Sequence, residues 1–137
     1  MTATLTVLLL VLTGAAPLRD AWNGAEEVAI PRSDGGEPQP ALFYVPPGAG
    51  REERGNSAPL LVALHTWSGD YRQEMGAEYL EQCKTRRWIL MHSNFRGPNV
   101  RPEACGSEGA VQDVLDAVAY ARGHAKVDEG RIYIVGA

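Results

Sequence analysis

The sequence predicts an α/β fold, with a mainly parallel sheet behind an antiparallel start. Three observations lead there. Two apolar runs, Leu60-Leu61-Val62-Ala63-Leu64-His65 and Trp88-Ile89-Leu90-Met91, lack polar alternation, as expected of strands covered on both faces. Helical periodicity follows each run, over residues 75–87 and 108–122. Ahead of them, two short strand-like segments flank a glycine-containing turn. The order strand–strand–strand–helix–strand–helix–strand is that of an α/β domain opening on a hairpin.

Each element has a local reason. Glu27-Val28-Ala29-Ile30 and Ala41-Leu42-Phe43-Tyr44-Val45 read as strands, and Ser33-Asp34-Gly35-Gly36 supplies the positive-φ residues of the turn between them. Residues 46–59 are rich in proline, glycine and charge and read as a surface loop. In the helix over 75–87, Arg86 and Arg87 fall at the negative end of the dipole. The helix over 108–122 has Ser107 as N-cap, Glu108 in its first turn and Gly123 as its stop. Its apolar stripe is Val111, Val114, Leu115, Val118 and Ala119, which puts Gln112, Asp113 and Asp116 outside the centre of the buried face. Arg131-Ile132-Tyr133-Ile134-Val135 is the last strand, and Asp128 and Arg131 organise the turn into it.

Composition narrows the function classes. A chain of 137 residues with a net charge of −4 is one small domain or a piece of a larger one. Basic residues are not clustered, so no nucleic-acid partner is expected, and there is no repeat. Residues 1–15 read as a signal peptide, with an apolar run over 5–12 and small residues Thr13-Gly14-Ala15 before the cut, although no Lys or Arg precedes the run. The expectation is a secreted or periplasmic protein with no membrane attachment once the leader is removed. Residues 16–26 are then a linker and 27–137 the domain. Cys83 and Cys105 leave three readings open, one being that Cys105 pairs with a cysteine beyond the end of the chain. A disulfide closing a loop of roughly twenty residues would stabilise by about 3 kcal/mol; alternatively Cys83, at helical spacing from Ala77 and Leu80, is a buried free thiol. Neither cysteine has the neighbours of a zinc site, and no metal or organic cofactor is expected.

Three segments carry a resemblance: Leu64-His65-Thr66-Trp67-Ser68-Gly69, then Asn94-Phe95-Arg96-Gly97-Pro98, then Asp113-Val114 followed by Val127-Asp128, Arg131-Ile132 and Val135-Gly136. In this order they resemble the α/β-hydrolase superfamily, and more narrowly its prolyl oligopeptidase-like peptidase and esterase group. The resemblance covers roughly residues 27–137. It implies the N-terminal half of the fold, truncated at the nucleophile elbow. In the G-x-S-x-G pattern Gly136 and Ala137 fill the first two places, so the nucleophile is expected just after Ala137, with no catalytic residue within the chain. By the same resemblance, the N–H of Thr66 or Trp67 is one oxyanion-hole donor and the residue after the serine gives the other, although Thr66 stands where relatives often carry glycine. His65, Gly69, Arg96, Gly97 and Gly136 support the site. His65 is expected to hold the turn rather than act as base, because the triad histidine of this fold follows the serine in the chain. Arg96 is expected to tie loops together through a carboxylate. His92 and His124 are expected to be solvated or to lie at the core rim.

The function so implied is that of a serine hydrolase working through an acyl-enzyme, on a small ester, an acylated saccharide or a peptide. No propeller precedes the domain, which tilts the expectation towards an esterase or single-domain peptidase. The chain itself is expected to be inactive, and to be poorly soluble with its last strand uncovered. The alternative is a non-enzymatic remnant or binding module. A nucleotide-binding α/β fold is disfavoured, because no glycine-rich phosphate loop follows an early strand.

Overall fold

The computed structural model describes residues 20–136. The leader and Ala137 therefore lie outside the described residues. Five strands form one sheet: β1 (Glu26–Ile30), β2 (Gln39–Tyr44), β3 (Ala58–Leu64), β4 (Ile89–Ser93) and β5 (Val127–Val135). Two helices, α1 (Ala77–Arg86) and α2 (Glu108–His124), connect β3 to β4 and β4 to β5. Across the sheet the order is β1-β2-β4-β3-β5. β1 and β2 pair antiparallel, as do β2 and β4, whereas β4, β3 and β5 run parallel. This is the mixed sheet read from the sequence, with its hairpin at one edge and β5 at the other.

Strand periodicity sorts the core into two layers. Leu60, Val62, Ile89, Met91, Ala41 and Phe43 meet Ala117 and Ala121 of α2. The alternate residues Ala63, Leu90 and Leu42 meet Ala77, Leu80 and Cys83 of α1. Alternate side chains of a strand point to opposite faces, so the helices cover opposite faces. Right-handed crossovers require this arrangement, since β3→β4 and β4→β5 step across the sheet in opposite directions. At such a reversal the strand ends leave a crevice at their carboxyl edge.

Several elements depart from the sequence reading. The loop over 46–59 ends sooner, because Ala58 and Pro59 already belong to β3; Ala58 N–H donates to Lys126 O at 2.8 Å. The first helix starts at Ala77 after a 3-10 turn at Glu74–Gly76, and stops at Arg86 because Arg87 takes a left-handed conformation at φ 58°. The strand expected over 88–91 is shifted to Ile89–Ser93. At the described end of the expected linker, a 3-10 turn at Asp20–Trp22 sets the Trp22 ring into the core beside His92.

The largest correction concerns α2. Ser107 caps it as expected, its hydroxyl accepting from Ala110 N–H at 3.1 Å. The helix continues through Gly123, which is exposed and where a Cβ would meet nothing within 4 Å, and ends where Ala125 turns extended. Its buried stripe is Ala110, Asp113, Ala117 and Ala121, flanked by half-buried Val114 and Val118 as expected, while Val111 and Leu115 are 55% and 54% exposed. Small residues let the helix sit close to the sheet, and an ionic partner draws Asp113 to the centre of the face it was expected to avoid.

Candidate functional site at the carboxyl edge of the sheet

Because β4, β3 and β5 are parallel, their carboxyl ends open on one edge. Leu64 pairs with Ser93, and Ala63 with Val135. The register therefore places Gly136 beside Leu64, where a Cβ on the glycine would lie 3.4 Å from Leu64 Cβ. His65, Asn94 and Gly136, the first residues beyond the three strands, stand along one rim.

The turn after β3 is tightly determined. Gly69 N–H donates to Thr66 O at 3.0 Å, and Ser68 occupies the left-handed region at φ 58°. The Gln73 side chain clamps Thr66 twice: its Oε1 accepts from Thr66 N–H at 2.8 Å, and its Nε2 donates to Thr66 Oγ1 at 2.6 Å. Gly69 makes room for that clamp, since a Cβ there would lie 2.7 Å from Gln73 Oε1. Thr66 N–H is thereby occupied. Trp67 N–H has no hydrogen-bond partner among the described residues, and the Trp67 side chain is 63% exposed. A cavity of about 120 Å³ lies beside the turn, lined by Leu64, Thr66, Gln73, Met75, Tyr79 and His92 among others.

His65 locks this turn to the next one. It is buried, its ring stacks on Phe95 at 4.2 Å, and its nitrogens lie 3.1 Å from Thr66 O and 3.0 Å from Asn94 O. Carbonyl oxygens only accept, so a neutral ring donates to one of the two, and both ring nitrogens face main-chain oxygens. The loop after β4 carries strain: Phe95, Arg96 and Gly97 all have positive φ, at 25°, 76° and 80°. Only Gly97 adopts it without a steric cost. Arg96 N–H donates to Gln39 Oε1 at 3.0 Å and Gly97 N–H to Asn94 O at 2.7 Å, which holds the strained residues in place.

The Arg96 guanidinium enters an ionic cluster. Its Nη2 donates to Asp34 Oδ2 at 3.0 Å and to Asp113 Oδ1 at 3.3 Å. Its Nε lies 3.2 Å from Asp113 Oδ2, within ion-pairing range but off hydrogen-bond alignment. Arg32 flanks the same carboxylate, with Nε at 3.4 Å from Asp113 Oδ1. Burial pushes the Asp113 carboxyl up, against the pull of Arg96 and Arg32. Asp34, on the surface, is held down at about 2, first by the Gly36 N–H and then by Arg96. The cluster binds the β1–β2 turn, the loop after β4 and α2 to one another.

The other titratable groups lie elsewhere. His92 is buried on the α1 side, its Nδ1 2.7 Å from Tyr71 O, and desolvation lowers its pKa. His124 is exposed and stacks on Tyr120. Asp128 accepts from Gly130 N–H at 3.0 Å and from Arg131 Nε at 2.8 Å, shaping the irregular entry into β5. Cys83 and Cys105 are free thiols; Cys83 is buried, and burial pushes it up to about 11. Among the described residues no group of His, Cys, Asp and Glu could hold a metal ion. No described helix is long and apolar enough to cross a membrane.

The sequence pointed to the turn but missed Gln73. It lies seven residues from Thr66 in no recognised motif, and the only trace of the clamp is Gly69, needed where the amide approaches.

No family model and no curated protein sequence matches the chain. Solved structures do. The chain is similar to a bacterial heroin esterase (22% identity, TM-score 0.61), covering 87% of this chain and 37% of that one. It is similar to the S-formylglutathione hydrolase of Staphylococcus aureus (15%, 0.62), covering 82% of this chain and 46% of that one. It is also similar to an acylaminoacyl peptidase of Pyrococcus horikoshii (21%, 0.56), covering 82% of this chain and 19% of that one. The chain thus spans less than half the length of each of these proteins. Strand order, the helices on opposite faces and these likenesses together give it the fold of the N-terminal half of an α/β-hydrolase.

Proposed function

We propose that the chain is the N-terminal part of an exported serine hydrolase, an esterase or a prolyl oligopeptidase-like peptidase, whose nucleophile is the residue after Ala137. One observation carries this reading. β5 delivers Gly136 to the rim beside the turn at His65, and the Trp67 N–H in that turn has no partner among the described residues. A serine two residues beyond Gly136 then stands on the strand-to-helix elbow of this fold.

The chemistry follows from what each group can do. The serine hydroxyl adds to the acyl carbon while its proton passes to a base further along the chain. Negative charge gathers on the carbonyl oxygen, where Trp67 N–H donates, together with the backbone N–H of the residue after the serine. Thr66 N–H takes no part because Gln73 holds it. Collapse breaks the bond to the leaving alcohol or amine, which takes the proton, and water then hydrolyses the acyl-enzyme. His65, Gly69, Arg96 and Gly97 keep the two rim loops in place. Substrates are small esters, acylated saccharides or peptides. The 120 Å³ cavity beside the turn favours a short acyl group, hence an esterase.

The test is labelling of the full-length gene product with a fluorophosphonate probe. A single adduct on a serine at position 138 supports the reading. An unlabelled, folded protein overturns it in favour of a non-enzymatic remnant or binding module.

A further inference from the structure

We propose that Gln73 is the positioning residue of the oxyanion turn: its amide takes the Thr66 N–H out of service and so selects Trp67 N–H as the donor. The inference rests on the serine-hydrolase reading above and goes beyond it by assigning a role to a residue outside every motif that led there.

The geometry is that of a two-point clamp. A primary amide carries one acceptor oxygen and two donor hydrogens. Gln73 spends its oxygen on Thr66 N–H (2.8 Å) and one hydrogen on Thr66 Oγ1 (2.6 Å). Both contacts fall on one residue, so they fix the peptide plane between His65 and Thr66 as well as the Thr66 rotamer. His65 sits buried on one side of that plane. On the other side, the Gly69 N–H to Thr66 O bond and the left-handed Ser68 close the turn. With those ends fixed, the next N–H in the chain, that of Trp67, is left without a partner among the described residues.

Gln73 is itself anchored. Its carbonyl accepts Gly76 N–H at 2.9 Å, at the 3-10 turn that leads into α1, and its N–H donates to Asp70 O at 3.0 Å. The neighbouring Arg72 O accepts from the Trp22 indole at 3.3 Å. The clamp therefore transmits the position of a packed helix start to the turn. Without it, Thr66 N–H would compete with Trp67 N–H for the same oxyanion, and the turn would lose its single geometry. Side chains acting at this distance from the chemistry work through placement, and a displacement of about 1 Å costs up to roughly 100-fold in rate.

The experiment uses the full-length gene product, with p-nitrophenyl acetate as substrate and amide hydrogen exchange as an independent readout. Gln73→Leu is expected to lower kcat roughly 10- to 100-fold with KM within about threefold, while Thr66 amide exchange rises about tenfold or more. Gln73→Glu, which keeps an oxygen facing Thr66 N–H, is expected to restore the exchange protection. Gln73→Met gives the same readouts as Gln73→Leu should the latter not fold. Wild-type kcat in Gln73→Leu, or a Thr66 amide that exchanges as fast in the wild type as in the variant, overturns the proposal. A wild type inert towards both ester and fluorophosphonate defeats the hydrolase reading instead, and the exchange data then still decide whether the clamp exists.

Discussion

Asp113 shows how one residue can decide the seating of a helix. A carboxylate at the centre of a buried stripe is costly unless its charge is met. Here Arg96 reaches it from the loop after β4 and Arg32 from the β1–β2 turn, so one side chain joins three chain segments. Asp113→Ala would leave Arg32 and Arg96 with only the surface carboxylate of Asp34 between them. Removing one partner of a fully buried pair costs about 3–5 kcal/mol. Both arginines keep some solvent contact, which screens part of that, so a loss of about 2–3 kcal/mol is expected by urea denaturation. A change below about 0.5 kcal/mol would mean that the cluster is incidental. Gln73 belongs at the same scale, an uncharged clamp that fixes one N–H and leaves its neighbour free.

Among the elements, β3 and β4 were the most legible. Their apolar runs have helices on both faces, so polar residues are few: β3 has none, and β4 has only His92 and Ser93 at its carboxyl end. The hairpin was legible for a different reason, its turn glycine at φ 77°. α2 was not, because the partners that pull Asp113 inward lie 17 and 81 positions away, and helical periodicity carries no trace of them. At the site, the two turns could be read from Leu64-His65 and Arg96-Gly97, whereas the choice between Thr66 and Trp67 could not. That choice depends on a side chain delivered by the start of the next helix.

β4 also carries a buried group with a consequence for pH. His92 lies between the sheet and the start of α1, and desolvation, aided slightly by His65, lowers its pKa from 6.5 against the opposing effects of Tyr71 O and Asp70. Below pH 6.5 the unfolded chain binds a proton at this position that the folded chain refuses. Stability therefore rises with pH in that window and falls as pH drops from 6.5 towards the lowered folded pKa. The His92 imidazole, followed by NMR, is expected to titrate with a midpoint below 6.5; a midpoint at or above 6.5 would contradict the burial argument.

At the scale of the whole molecule, the sheet has two unlike edges. β1, paired in its hairpin with β2, is one, and β5 is the other, with Tyr133 and Ile134 at 44% and 64% exposure. Val111 and Leu115 of α2 are open as well. Apolar residues on an unpaired edge strand and an uncovered helix face are places where further chain packs, or where copies associate if none does. The chain covers 37%, 46% and 19% of three similar solved structures, which accords with the first alternative. The rim gathers a turn, a strained loop and Gly136 into one crevice, and under the proposed function it is half of an active site. The most direct test is to read the coding sequence beyond the codon for Ala137. Serine, any residue and then glycine is the result this account predicts; a stop codon, or a continuation with no nucleophile at position 138, would contradict it.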